Sequence, residues 1–248
     1  MNSYKSSAEL KATAKEQLFG NYGIVIGAFL VVSLLTLVAT LIPELFIDIS
    51  SVPGLIIYYL ANFIISLFSG ILVSGEAFMY LKLTCRQRIS VSDVFYGFKV
   101  YPDKAIAIQF VISVITYVSL IPMSIFYVLF MNEPTNTVYM LLTSLFTIIG
   151  TVISVVFSLM FSQAFFLLQD FPQYSAKELL KMSCRIMKGH KGRLFYIEMS
   201  FLPLLFLGML SCCIAYLWLI PYMSAVKSNF YMDLMTKRKT SSEIQDNF

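Results

Sequence analysis

Glu76, Glu198 and Lys227 are the residues that chemistry would use first. Each lies inside an apolar stretch, and Gln109 and Gln163 are embedded in two others. A charge at the centre of a bilayer costs roughly 2.5–3.5 kcal/mol on insertion scales, so such groups pair, line a wet cavity or snorkel. Counted from the flanking basic residues, all five fall within about two helical turns of one membrane boundary. Two readings stay open. In one, the side chains snorkel or form structural pairs, such as Glu76 or Glu198 with Lys227. In the other, five spans contribute to a polar vestibule open to the cytoplasm.

A second set of residues suits anionic partners. Lys177, Lys181, Arg185 and Lys188 recur along one face of a helix predicted over 175–188. Ala176, Leu179, Leu180, Ser183, Ile186 and Met187 form its other face. That is the pattern of a helix lying in the membrane interface, apolar side down and cations toward lipid headgroups. The partners expected are membrane lipids with anionic headgroups on the cytoplasmic side, together with a membrane protein. Nucleic acid is not expected, because no reader motif accompanies the cations.

Other chemistry lacks its signatures. HExxH, Walker A, GxGxxG, GxSxG and zinc spacings are missing from the chain. The single histidine, His190, sits in a Gly-x-x-Gly linker and reads as a solvated loop residue. Cys85, Cys184, Cys212 and Cys213 have no metal or redox spacing and read as inert. The expectation is a non-enzyme with no metal and no cofactor.

The elements that position these residues follow from composition. Of 248 residues, 58% are hydrophobic and 13% charged, against about a quarter charged in soluble domains. The fold class expected is an all-α, polytopic helical membrane protein. A spanning helix needs about 20 mainly apolar residues, and the stretches 22–43, 55–81, 105–130 and 138–168 qualify. A last apolar block, 194–235, is too long for one crossing and is expected to fold back near Gly208–Cys213, giving six spans. Leu202–Pro203 is a place where the fifth can kink. All 18 Lys and Arg residues then fall on one side, which the positive-inside rule makes cytoplasmic, with both termini. The location expected is the cell membrane.

The chain also resembles itself. Residues 6–23, SSAELKATAKEQLFGNYG, align with 175–192, SAKELLKMSCRIMKGHKG. Both open with a Ser-x-x-Glu capping box and end in Gly-x-x-Gly before a span. A weaker copy starts at Ser90 with Asp93. The words GEAF (75–78), SQAF (162–165) and KSNF (227–230) recur at comparable depth. The reading is one membrane domain, 1–240, built of amphipathic helix–span–span units near 1–83, 84–170 and 171–240, followed by a short polar tail, 241–248. Two rows, Asn62–Ser66–Gly70–Ser74 and Gly150–Ser154–Ser158–Ser162, recur every four residues. They suit helix packing or a hydroxyl-lined solute path.

The C-terminal third carries a likeness to a known family. Met187–Lys188–Gly189, Ser200–Phe201, Trp218, Pro221–Tyr222 and Phe230–Tyr231 resemble the bacterial integral membrane family called domain of unknown function 975. ELKATAKEQLFGNYG near the start and DVFYGF (93–98) fit the same family. That family is distantly similar to the membrane domain accompanying some glycerophosphodiester phosphodiesterases. The resemblance implies a helical domain of six or more spans in a Gram-positive cell membrane, and carries over no activity and no functional residues. Function is expected to be that of an accessory or lipid-interacting component, with a transporter or permease subunit as the alternative.

Overall fold

Serine–carboxylate caps start the short helices that precede the long ones. Ser6 accepts from the Glu9 N–H and Glu9 accepts from the Ser6 N–H; Ser175 and Glu178 repeat the arrangement. Ser90 and Asp93 repeat it again at the head of a 3₁₀ turn. The computed structural model describes residues 4–48 and 51–245, and among these there is no strand.

In chain order the helices are α1 (Ser7–Leu18), α2 (Tyr22–Phe46) and α3 (Val52–Thr84). The 3₁₀ turn Val91–Phe95 runs into α4 (Tyr96–Lys99), then α5 (Pro102–Asn132), α6 (Thr137–Phe161) and α7 (Ala164–Asp170). The final set is α8 (Ala176–Ile186), α9 (Lys191–Met199), α10 (Leu202–Leu210) and α11 (Tyr216–Gln245).

Five segments are long and apolar enough to cross a membrane: α2, Ile56–Thr84 of α3, α5, α6 with α7, and α9 with α10. The four plain apolar stretches of the sequence coincide with the first four. The fifth is interrupted at Ser200–Phe201, with Pro203 in the first turn of α10 just beyond. α11 is less apolar, because Lys227, Asn229 and Asp233 interrupt it. The fold-back that separates it from α10 falls at residues 211–215. Cys212 and Cys213 both take positive φ there, 52° and 67°. Gly208 completes the hairpin: a Cβ on it would collide with the Tyr216 ring. The Tyr216 hydroxyl donates to the Leu205 carbonyl at 3.1 Å. The stretch expected to be a polar tail continues α11 as helix to Gln245; residues 246–248 lie outside the described residues.

The two rows of small residues are seams between helices. Ser66 and Ser113 hydroxyls meet at 3.1 Å, and Gln169 donates to the Ser74 hydroxyl at 2.8 Å. Gly70 lies against the Gln109 side chain, and Gly150 against the Ser119 carbonyl. Close backbone approach of this kind is how helices associate where lipid supplies no hydrophobic drive.

The amphipathic helices are used differently from expectation. Leu179, Leu180, Ser183, Ile186 and Met187 of α8 are buried within the protein, where α8 packs on α5, α6 and α7. The Ser183 hydroxyl donates to the Met160 carbonyl at 2.7 Å. The apolar face therefore meets other helices of the chain instead of lipid. α1 is docked likewise on α11 and α3, with Leu10, Ala14 and Leu18 fully buried. Burial of a leucine contributes roughly 1.5–3 kcal/mol, enough to hold a three-turn helix that is marginal alone.

The two stretches that match in sequence at an offset of 169 share local features. Gly20 and Gly189 have φ of +83° and +84°. Asn21 N–H donates to the Leu18 carbonyl, and His190 N–H to that of Met187. Leu10, Ala14, Leu18, Val25 and Ala28 are buried, as are Leu179, Ser183, Met187, Leu194 and Ile197, each 169 residues further on. In the middle of the chain Ala105 and Ile108 repeat the last pair.

Candidate functional site

The five embedded polar residues do not form one bonded cluster. Glu198 on α9 and Lys227 on α11 make an ion pair at 2.9 Å, with side chains 26% and 41% exposed. Gln109 donates to Ser113 one turn along its own helix at 3.4 Å. Gln163, fully buried at the break between α6 and α7, donates to its neighbour Ser162, and its Oε1 has no partner. Glu76 is half-buried on α3 and makes no hydrogen bond or ion pair among the described residues. Glu76, Gln163 and Ser228 are the second letters of the words GEAF, SQAF and KSNF, and lie on α3, at the α6–α7 break and on α11. Of these only Ser228 is satisfied by other helices, with the Tyr80 carbonyl at 3.1 Å and the Thr84 hydroxyl at 2.8 Å.

Glu198 also faces a cavity of about 410 Å³ on the α5–α6 seam, with Thr116, Thr151, Ser154 and Ser158 in its wall. Ser158 of the second serine row thus reaches space, while Ser154 lies 3.5 Å from the Ser119 hydroxyl across the seam. Among the described residues no group of three His, Cys, Asp or Glu is placed to hold a metal ion.

The cations of α8 are arranged as a free surface. Lys177, Lys181, Arg185 and Lys188 are all exposed, and none makes an ion pair or hydrogen bond among the described residues. Their helix is held rigidly by its opposite face. At its start, hydrogen bonds from the Ser175 N–H and hydroxyl hold the Glu178 carboxyl below the usual carboxylate range.

A further cluster, not singled out in the sequence, ties the chain together. Arg193 donates to Asp233 at 2.5 Å and to the Lys5 carbonyl at 2.6 Å. Its guanidinium lies over the Tyr4 and Phe230 rings, 5.1 and 4.9 Å from their centres. Tyr4 meets His190 edge-on at 4.6 Å. Burial, followed by the Arg193 charge, pushes the His190 imidazole below its ordinary range, with Asp233 opposing. Nearby, Lys11 donates to the Ser200 hydroxyl at 2.7 Å, and Asn229 donates to Gln17 at 2.6 Å. Asn229 and Asp233, four apart on α11, were the available signal: polar residues on one face beside Phe230 mark a face that packs on a polar helix.

The segments rich in cations meet one another across one end of the bundle. Arg86 pairs with Glu16 at 2.7 Å, Lys104 donates to the Pro172 carbonyl at 2.5 Å, and Arg193 reaches Lys5. Away from that end, Leu34, Leu45, Ile121, Ile125, Leu141 and Ile148 are exposed. Outward apolar surface of this extent, on helices whose backbone groups are satisfied internally, is the mark of a bilayer solvent. The architecture is that of a helical, multi-pass membrane protein. The chain belongs to the family described as Protein of unknown function (DUF975), which it matches over residues 1–239. Comparison with curated proteins and with solved structures gives no match.

Proposed function

We propose that the protein is a non-enzymatic, lipid-interacting accessory component of the cell membrane. In this reading it crosses six times with both termini cytoplasmic, α11 being the sixth crossing. Its three units have arisen as repeats of one short-helix-plus-two-spans plan. The observation that carries the function is α8: four exposed, unpaired cations on a helix whose apolar face is locked against the bundle. A fixed cationic surface at the membrane edge attracts anionic headgroups, at roughly 1 kcal/mol per residue. The end-to-end contacts among the basic segments support a single cytoplasmic face.

The test is the lipid that stays with the purified protein. Replacing Lys177, Lys181, Arg185 and Lys188 by Gln together should lower the anionic fraction of co-purifying lipid severalfold, and added salt should weaken wild-type retention. Equal retention by wild type and variant refutes the reading. A second reading, transport, is favoured by the hydroxyl-lined cavity beside Glu198. Solute flux through reconstituted protein that Glu198→Gln abolishes would put it first.

A further inference from the structure

α8 does more than present charge: it walls one side of a groove against α5. The groove encloses about 940 Å³, near the top of the ~300–1,000 Å³ range of ordinary ligand pockets. Its floor is apolar, made by Ile106, Phe110 and Val111 of α5, Phe161 at the end of α6, and Leu180 of α8. Phe110 keeps 47% of its surface exposed there. The polar groups in its wall are Asp103, Ser175, Lys177 and Lys181. Lys177 and Lys181 stand one turn apart on α8, and Asp103, in the first turn of α5, pairs with neither.

The position of the groove fixes what fits it. Residues 106–111 are the opening turns of a membrane-crossing helix, so the apolar end runs into the bilayer while the lysines stand at its edge. A soluble phosphate would satisfy the lysines and leave the apolar wall wet. An uncharged chain would fill the wall and leave the lysines unmatched. We propose that the groove binds one anionic phospholipid, its phosphate between Lys177 and Lys181 and an acyl chain along α5. Asp103 narrows the headgroup further, since it accepts hydrogen bonds and repels a second negative charge. A glycerol-type headgroup, with hydroxyls beside one phosphate, meets all three side chains. The walls are preorganised by the Ser183–Met160 hydrogen bond and by Lys104 on the Pro172 carbonyl, so little ordering opposes binding.

This site rests on the lipid-binding reading and sharpens it from a charged surface to one place. The experiment is native mass spectrometry of the full-length protein in detergent, titrated with phosphatidylglycerol or phosphatidylcholine of the same chains. One phosphatidylglycerol should be retained in preference. Lys177→Gln with Lys181→Gln should weaken it roughly 30-fold, at about fivefold per lysine, whereas Arg185→Gln with Lys188→Gln, outside the groove, should cost fivefold or less. Ala107→Trp should abolish retention by filling the floor with every cation intact. Equal losses from the two cation pairs, or no loss from Ala107→Trp in folded protein, overturn the groove while leaving the charged-surface reading standing. Equal retention of the two lipids overturns both.

Cys184 supplies a readout that needs no substitution in the groove. It lines the groove, whereas Cys85, Cys212 and Cys213 are exposed elsewhere. With those three replaced by Ser, phosphatidylglycerol should slow maleimide modification of Cys184 and phosphatidylcholine should not. No protection by phosphatidylglycerol, or equal protection by chain-free glycerol phosphate, overturns the proposal.

Discussion

The pair Arg193–Asp233 should behave as a latch whose halves are worthless apart. The Asp233 side chain is 5% exposed and that of Arg193 20%. Replacing Arg193 by Met leaves the Asp233 carboxylate with one distant donor, the Lys5 N–H at 3.4 Å. Removing one partner of a buried pair costs about 3–5 kcal/mol, and the residual exposure of Arg193 places this case near 3. Loss of the guanidinium over Tyr4 and Phe230 adds about 0.5–1 kcal/mol. Asp233→Leu should cost a similar 3 kcal/mol, by stranding a guanidinium. The double variant removes both charges together and should cost about 1–2 kcal/mol, well under the sum of the singles. For a chain of this size a loss of 1 kcal/mol lowers the unfolding midpoint by about 2–4 °C. Thermal unfolding in detergent should therefore show falls of about 7–16 °C for Arg193→Met, about 6–12 °C for Asp233→Leu and under about 8 °C for the double. Hydrogen exchange should locate the effect, with the amides of α1 losing protection in the singles. Additive midpoint shifts, or unchanged exchange in α1, would refute the idea that this pair holds the N-terminal segment.

Gly20→Ala and Gly189→Ala should each destabilise by about 1 kcal/mol, because both glycines hold positive φ while a Cβ at either meets nothing within 4 Å. Gly23→Ala and Gly192→Ala, in open helical positions, should be neutral or mildly stabilising in the same thermal assay. Because His190 is pushed below the ordinary imidazole value of 6.5, the folded protein resists its protonation. Its contribution to stability is complete above pH 6.5 and is lost as pH falls through the lower folded value. A His190→Gln variant should show a flatter fall in unfolding midpoint between pH 7 and 5; an unchanged slope would exclude His190 as its source.

Much of the frame was legible because it depends on local rules. Apolar length marked four stretches at 22–43, 55–81, 105–130 and 138–168, which fall on α2, α3, α5 and α6 with α7, and Ser-x-x-Glu specified where α1 and α8 begin. Pro203 marked the interruption in the fifth segment. The turn at 211–215 was harder, since Cys212 and Cys213 carry left-handed backbone that their side chains do not advertise. The apolar face of α8 was visible, but a hydrophobic stripe does not say whether lipid or protein will cover it. That depends on the α5–α7 surface, which exists only once the chain has folded. The Glu198–Lys227 pair was one of two pairings that depth allowed, whereas Arg193 lies 188 residues from Lys5 and 40 from Asp233, and only the Asn229–Asp233 spacing hinted at the face they share.

The docking of α1 on α11 has a consequence for synthesis. α1 leaves the ribosome well before α11, the helix that with α3 covers Leu10, Ala14 and Leu18. While the intervening helices form, that short helix has α3 alone to rest against. Asp233, carried by α11, then closes on Arg193 and Lys5. Docking of α1 is thus a late event in folding, and a chain truncated before α11 would carry an apolar helix face that α3 covers only in part.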